Sequence, residues 1–247
     1  MKIKNICLLA LALFVSIKNI QAHALWLETS SVGVKGRAQQ VKVYYGEYAE
    51  GLHEKVAGNF SGEMQQFSLW LVAPDNSKTQ LTCTSDTDCF TAQFIPDQEG
   101  IYTLVLENKS MKIVDTKGNL GLLKPFFYGV TAVKIGRPGQ KETADALNSG
   151  GIFIVKKDHA DWKTGTPLSL AVLNQGKPLD NVSVTIFSPE GWIKEVPVDQ
   201  KGEMQFKPEW KGRYVAEVVY FDKTPGESGG DKYQTSRNVS TCAFEVK

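Results

Sequence analysis

The stretch Phe94–Tyr102, FIPDQEGIY, recurs as FKPEWKGRY at Phe206–Tyr214, and the shared pattern is Phe-x-Pro-x-x-x-Gly-x-Tyr. Each copy leads into a strongly apolar segment. In an immunoglobulin-like sandwich, Pro and Gly turn the chain between two sheets, and a Tyr early in the next strand returns its hydroxyl to the backbone of that turn. The repeat therefore predicts two copies of one β-sandwich module.

Short segments in which apolar and polar residues alternate surround both copies, and no stretch after residue 22 keeps a helical spacing. Predicted strands in the first half are Ala38–Tyr45, Gln66–Ala73, Phe90–Phe94, Ile101–Glu107 and Phe126–Ile135. Those in the second half are Pro167–Leu173, Val182–Ser188, Gly202–Phe206, Tyr214–Phe221 and Val239–Val246. The sequence thus predicts an all-β chain of two tandem immunoglobulin-like β-sandwich domains.

Domain boundaries follow from composition. Residues 136–151 are rich in Gly and polar residues, as a linker is. The predicted organisation is a signal peptide at 1–22, a first β-sandwich at 23–135, the linker, and a second immunoglobulin-like β-sandwich at 152–247.

The first 22 residues have the form of a secretory signal peptide. Lys2 and Lys4 precede the apolar run Ile6–Ile17, which at about a dozen residues is shorter than the roughly 20 that span a bilayer. No second long apolar run follows, so we expect an exported protein without a transmembrane segment. Without Lys2, Lys4 and Lys18, 25 basic residues face 27 acidic ones, a balance that gives no attraction to nucleic acid.

The stretch Ala22-His23-Ala24 decides the functional interpretation. It fits the small-x-small pattern of signal-peptidase sites, so cleavage after Ala22 makes His23 the first residue, whereas cleavage after Ala24 removes it. The polar segment Lys18–Ala22 favours the first site. An amino-terminal His can chelate a metal ion through its amine and Nδ1, and a second imidazole would complete a three-nitrogen site suited to Cu(II).

Only His53 and His159 could supply that second imidazole. His53 belongs to the first domain, and its segment carries Glu47, whose carboxylate would also suit Ni(II) or Co(II). We therefore predict metal ligands at His23, His53 and Glu47, and interpret His159 as a solvated loop residue. No phosphate-binding Gly-Lys loop and no His-Glu-x-x-His is present, so we expect no enzyme activity.

Two other residue types leave alternatives open. Cys83 and Cys89 flank a polar turn and could form a disulfide in an oxidising compartment. Trp192 and Trp210 lie in predicted turns and could stack on sugars. The alternative function is thus a carbohydrate- or protein-binding sandwich, accessory to an outer-membrane receptor.

The chain resembles a known family in the opening Ala22–Glu28, in Tyr44–Gly51, and in Phe187–Trp192 together with Arg213–Val215. That family is an exported domain of unknown function grouped with the periplasmic component of nickel and cobalt uptake systems. The resemblance implies a periplasmic, metal-handling accessory protein that delivers or senses Ni(II) or Co(II) for a membrane transporter, with His23 directly after the leader.

Overall fold

The computed structural model describes residues 23–118, 120–136, 150–157 and 162–247. The predicted signal peptide, most of the predicted linker and His159 lie outside these residues. No helix in the described part is long and apolar enough to cross a membrane.

The described chain is built almost entirely of strands, which confirms the predicted all-β sandwich fold. The first half contains β1 Ala24–Thr29, β2 Val32–Gly33, β3 Gln39–Glu47, β4 Leu52–His53, β5 Ser68–Val72, β6 Lys78–Leu81, β7 Thr84–Ser85, β8 Phe90–Phe94, β9 Gly100–Asn108, β10 Val114–Asp115 and β11 Leu122–Ile135. The second contains β12 Ile152–Lys156, β13 Leu168–Asn174, β14 Lys177–Pro178, β15 Ser183–Phe187, β16 Ile193–Pro197, β17 Glu203–Phe206, β18 Gly212–Asp222, β19 Gly226–Ser228, β20 Asp231–Tyr233 and β21 Thr235–Val246. Two 3₁₀ helices, η1 Tyr48–Glu50 and η2 Gly62–Gln65, interrupt the first half.

Both predicted tyrosine corners form. The Tyr102 hydroxyl accepts hydrogen bonds from the backbone N–H groups of Asp97 and Gln98, each at 3.1 Å. The Tyr214 hydroxyl donates to the carbonyl oxygen of Trp210 at 3.0 Å and accepts from its N–H at 3.1 Å. Each buried Tyr thereby satisfies its own hydroxyl and fixes the turn before the strand that it begins.

A ten-stranded central sheet runs through both halves in the order β16-β15-β18-β21-β11-β9-β5-β6, with β10 and β2 also pairing with β11. Its middle is the parallel pair of β11 and β21, in register from Leu123 opposite Thr235 to Val130 opposite Cys242. The sequence predicts two sandwiches in tandem. In the structure, strands from both halves belong to one sheet.

Two smaller sheets cover opposite faces of the central sheet. Successive side chains of a strand point to opposite faces, and in β9 Leu104 and Leu106 enter one core while Val105 enters the other. The N-terminal sheet, made of β1, β3, β4, β7 and β8, closes the first core, and the C-terminal sheet, made of β12, β13, β14 and β17, closes the second.

A third, smaller apolar cluster joins the N-terminal sheet to the second half. We call it the junction cluster, and it consists of Trp26, Tyr44, Cys89, Phe187, Val215 and Ala243. Beside it, an Nη1–H of Arg213 donates to the Glu28 carboxylate, and the Tyr48 hydroxyl donates to the carbonyl oxygen of Arg213 at 2.9 Å. These contacts position β1 and η1 against β18.

The sequence did not predict β1. Leu25 and Leu27 fill the first core and Trp26 fills the junction cluster, so the strand is apolar on both faces. It lacks the alternation that identifies a half-buried strand, although it is the strand that carries His23.

Candidate functional site

The candidate site lies where β1, β3 and β4 meet. Ala24 pairs with Gly46 and Leu25 with Tyr45, so His23 comes opposite Glu47. On the other side of β3, His53 pairs with Gly46, and the N–H of Glu54 donates to the carbonyl oxygen of Tyr45 at 2.8 Å.

Gly46 makes this fold-back possible. Its φ is +149°, and a Cβ at this position would lie 2.0 Å from the carbonyl oxygen of Leu52. Only a residue without a side chain allows β4 to approach β3 this closely.

The structure brings His23 and Glu47 together, as the sequence predicts, and adds Glu54. Nε2 of His23 donates to Oε1 of Glu54 at 2.6 Å, and Nδ1 lies 3.2 Å from Oε1 of Glu47. All three side chains are largely buried, with exposed fractions of 29% for His23, 16% for Glu47 and 14% for Glu54. The hydrogen bond from His23, with a second from Asn59, holds the pKa of Glu54 below its usual range.

His53 is not brought to His23. Residues opposite each other in an antiparallel pair share a face, which puts His23, Tyr45 and Glu54 on one face of the N-terminal sheet and His53 on the other. Accordingly, the His53 ring lies 4.2 Å from the ring of Tyr44, and its Nδ1 lies 3.4 Å from Oδ2 of Asp88.

In the described residues, no three His, Cys, Asp or Glu side chains form a ready metal site. The reason at His23 is geometric, because Glu47 and Glu54 contact opposite nitrogens of one ring and do not converge on a point. With Glu54 on Nε2, Nδ1 faces Glu47. An ion about 2.1 Å from each of two donors that are 3.2 Å apart would sit between them at an angle of about 100°. The side chains thus offer two donors, and a third must come from elsewhere.

The cysteines are placed so that the possible disulfide does not form. Cys83 packs against the first core, whereas Cys89 belongs to the junction cluster, so the two side chains lie on opposite faces of the β7–β8 hairpin. Both are free thiols. Burial raises the pKa of Cys83 to about 11.

The tryptophans considered for sugar stacking are both half-buried. Trp192 stacks on Phe206 with ring centroids 6.3 Å apart and lies 6.0 Å from Trp210. Trp192 is partly buried against the second core.

Sequence reasoning missed one motif. Gly226–Gly230, GESGG, fits the Gly-x-Ser-x-Gly pattern of serine hydrolases. In those enzymes the Ser lies on a sharp turn from a strand into a helix, whereas Ser228 ends β19, and Gly229 and Gly230 turn the chain into β20. The pattern therefore lacks the context that makes a nucleophile.

Fold and site define a β-sandwich protein with a histidine held between two carboxylates at the start of its first strand. The chain belongs to the family described as a domain of unknown function (DUF4198), whose model matches residues 20–222. The match includes the candidate site and both tyrosine corners, and it ends at the last residue of β18. No curated protein matches the chain.

Proposed function

We propose that the protein is a periplasmic, non-enzymatic binding protein for a divalent transition metal, nickel or cobalt and also copper, and an accessory to metal uptake by a membrane transporter. The observation that carries this proposal is the pairing of His23 Nδ1 with Glu47 while Glu54 holds Nε2. Removal of residues 1–22 would supply the missing donor, because the new amine of His23 and its Nδ1 close a six-membered chelate ring on one ion.

The chemistry of the donors selects the ion. An amine, an imidazole and a carboxylate are N and O donors, which Cu(II) and Ni(II) accept in square or tetragonal geometry. The Glu54 carboxylate acts on the ring and not on the ion. A carboxylate on the second nitrogen of a ligating His fixes its tautomer and orientation and makes it a stronger donor.

The experiment compares two forms of the protein that differ only at the amino terminus. Both begin at His23, as verified by mass spectrometry, and in the second form the amine of His23 alone is acetylated. Calorimetric titration with Ni(II), Co(II) and Cu(II) is expected to give binding tighter than about micromolar, roughly 8 kcal/mol, for the first form, and at least about 100-fold weaker binding for the second, since the acylated nitrogen no longer binds an ion at neutral pH. Equal affinity of the two forms would remove the amine from the site and with it the proposal.

A further inference from the structure

The N-terminal sheet leaves part of the central sheet uncovered. On the face that carries Phe187 and Val215, strands β15, β16 and β18 extend beyond the junction cluster. Three large apolar side chains there are exposed, by 43% for Ile193, 36% for Val219 and 41% for Phe221. We call this surface the open face.

A cavity of about 710 Å³ lies between the open face and the edge of the N-terminal sheet. Phe187, Val219 and Phe221 line one side, and Trp26 and Tyr48 line the other. Its volume lies within the range of roughly 300–1,000 Å³ that is typical of small-molecule sites.

One cation and one carboxyl group line this cavity, and their charges interact with each other. Arg237 and Glu217 both line it, and both are half-buried. Within the described part of the chain neither side chain takes part in an ion pair or a hydrogen bond at contact distance, and the guanidinium lies 6.0 Å from the centroid of the Phe127 ring. A guanidinium carries five N–H donors in a fork that fits a carboxylate or another planar anion. The burial of such a group without an acceptor is unfavourable.

We propose that this cavity binds a small amphipathic organic anion, whose charged head group pairs with Arg237 and whose apolar body packs against Phe221, Val219 and Phe187. The anion proposal does not rest on the metal proposed above. Glu47 lines the cavity as well as the metal site, but it contributes no cation and no apolar surface to the anion.

The planar fork of N–H donors on Arg237 favours a small anion over a second copy of this chain or a sugar. The N–H donors of Arg237 make no hydrogen bond within the described chain and can pair with an anionic head group. The apolar walls favour a ligand with an apolar part, which a sugar lacks. Burial raises the pKa of Glu217 to about 7, so at mildly acidic pH its carboxyl group is neutral and does not repel the ligand. The other ionisable groups that line the cavity are Glu195, Glu47 and Tyr48.

The test uses 8-anilinonaphthalene-1-sulfonate, a fluorescent amphipathic anion, titrated into the full mature chain at pH 6. One molecule per chain is expected to bind, 4-phenylbutyrate is expected to displace it, and the uncharged 4-phenylbutan-1-ol is expected to compete at least about tenfold more weakly. Arg237→Gln and Phe221→Ser should each weaken binding at least about tenfold, whereas the matched change Arg37→Gln, at an exposed position, should leave it unchanged. Near-ultraviolet circular dichroism verifies that each variant is folded.

Three results would overturn the proposal. The first is binding of the dye that Arg237→Gln and Phe221→Ser leave unchanged. The second is displacement by the alcohol as effectively as by the carboxylate. The third is a dimer in sedimentation that Phe221→Ser dissociates and that excludes the dye, because the cavity would then be filled by a second copy. None of these measurements involves a metal ion, so their failure is distinguishable from failure of metal binding.

Discussion

His23 and His53 project from opposite faces of the N-terminal sheet, although both flank the same glycine of β3. His53 is opposite Gly46 in the β3–β4 pair, while His23 precedes Ala24, which is opposite Gly46 in the β1–β3 pair. The pleat therefore separates the two imidazoles that the sequence combined into one metal site.

This separation predicts different outcomes for the two histidines. His23→Gln should lower the affinity for Ni(II) at least about 100-fold, because it removes Nδ1 from the chelate. His53→Gln should leave the affinity for Ni(II) within about twofold of the wild-type value. Calorimetric titration of both variants, each beginning at residue 23, measures the difference. Equal losses would place both rings on one ion and contradict the register described above.

The Glu54 carboxylate should affect the metal site without touching the ion. Glu54→Gln is expected to lower Ni(II) affinity by about 10- to 100-fold, the usual effect of removing an outer-shell partner. Glu63→Gln is the control, since Glu63 pairs with Lys112 away from the site. A carbon-13 NMR titration gives a second measurement. The titration midpoint of the Glu54 carboxyl group should lie below the ordinary value of 4.5 and return towards that value in His23→Gln. A midpoint that His23→Gln leaves unchanged would show that His23 is not the partner of Glu54.

Replacement of either corner tyrosine should destabilise the fold. Tyr102→Phe leaves two backbone N–H donors without an acceptor, and Tyr214→Phe leaves the Trp210 carbonyl and N–H without a partner. We expect a loss of about 1–3 kcal/mol in the free energy of unfolding for each. Tyr220→Phe is the matched control, because the Tyr220 hydroxyl makes no hydrogen bond within the described chain, and urea denaturation of that variant should resemble the wild type.

Cys83 and Cys89 should remain reduced even in protein isolated from an oxidising compartment. Their side chains enter different apolar clusters, and a disulfide requires Cβ atoms within about 4.5 Å of each other. Alkylation after unfolding without reductant, followed by peptide mass mapping, should show both residues alkylated. A crosslinked Cys83–Cys89 peptide in the native protein would contradict the placement of the hairpin.

Glu217 should make stability fall as pH rises. Because burial raises the pKa of Glu217 from 4.5 to about 7 in the folded chain, its contribution is fully present below the unfolded pKa and is lost as pH rises through the folded pKa. Between pH 4.5 and 7 the free energy of unfolding of the wild type should therefore fall by up to about 3 kcal/mol relative to that of Glu217→Gln. Urea denaturation across this range measures the loss, and Glu195→Gln, at an exposed position on the same face, should not relieve it.

Much of the fold was predictable because its signals are local. The repeated Phe-x-Pro-x-x-x-Gly-x-Tyr turns predicted both tyrosine corners, and alternation located β3, β5, β8, β9 and β11 in the first half and β13, β15, β17, β18 and β21 in the second. For the site, the sequence named His23 and Glu47, which the structure places together. Glu54 was not selected, because its contact with His23 arises only when β4 folds back along β3. No sequence pattern near Glu54 indicates that β4 pairs with β3.

By itself the sequence determined the all-β class and the turns, since each depends on neighbours along the chain. Only the tertiary structure decided that the two halves share one sheet, because the parallel pairing of β11 with β21 joins strands more than a hundred residues apart. It also decided that His53 lies away from His23 and that Arg237 and Glu217 share a cavity with Trp26. These outcomes depend on register and on which sheet covers which face, and a single-residue shift in register would exchange the faces of every side chain in a strand.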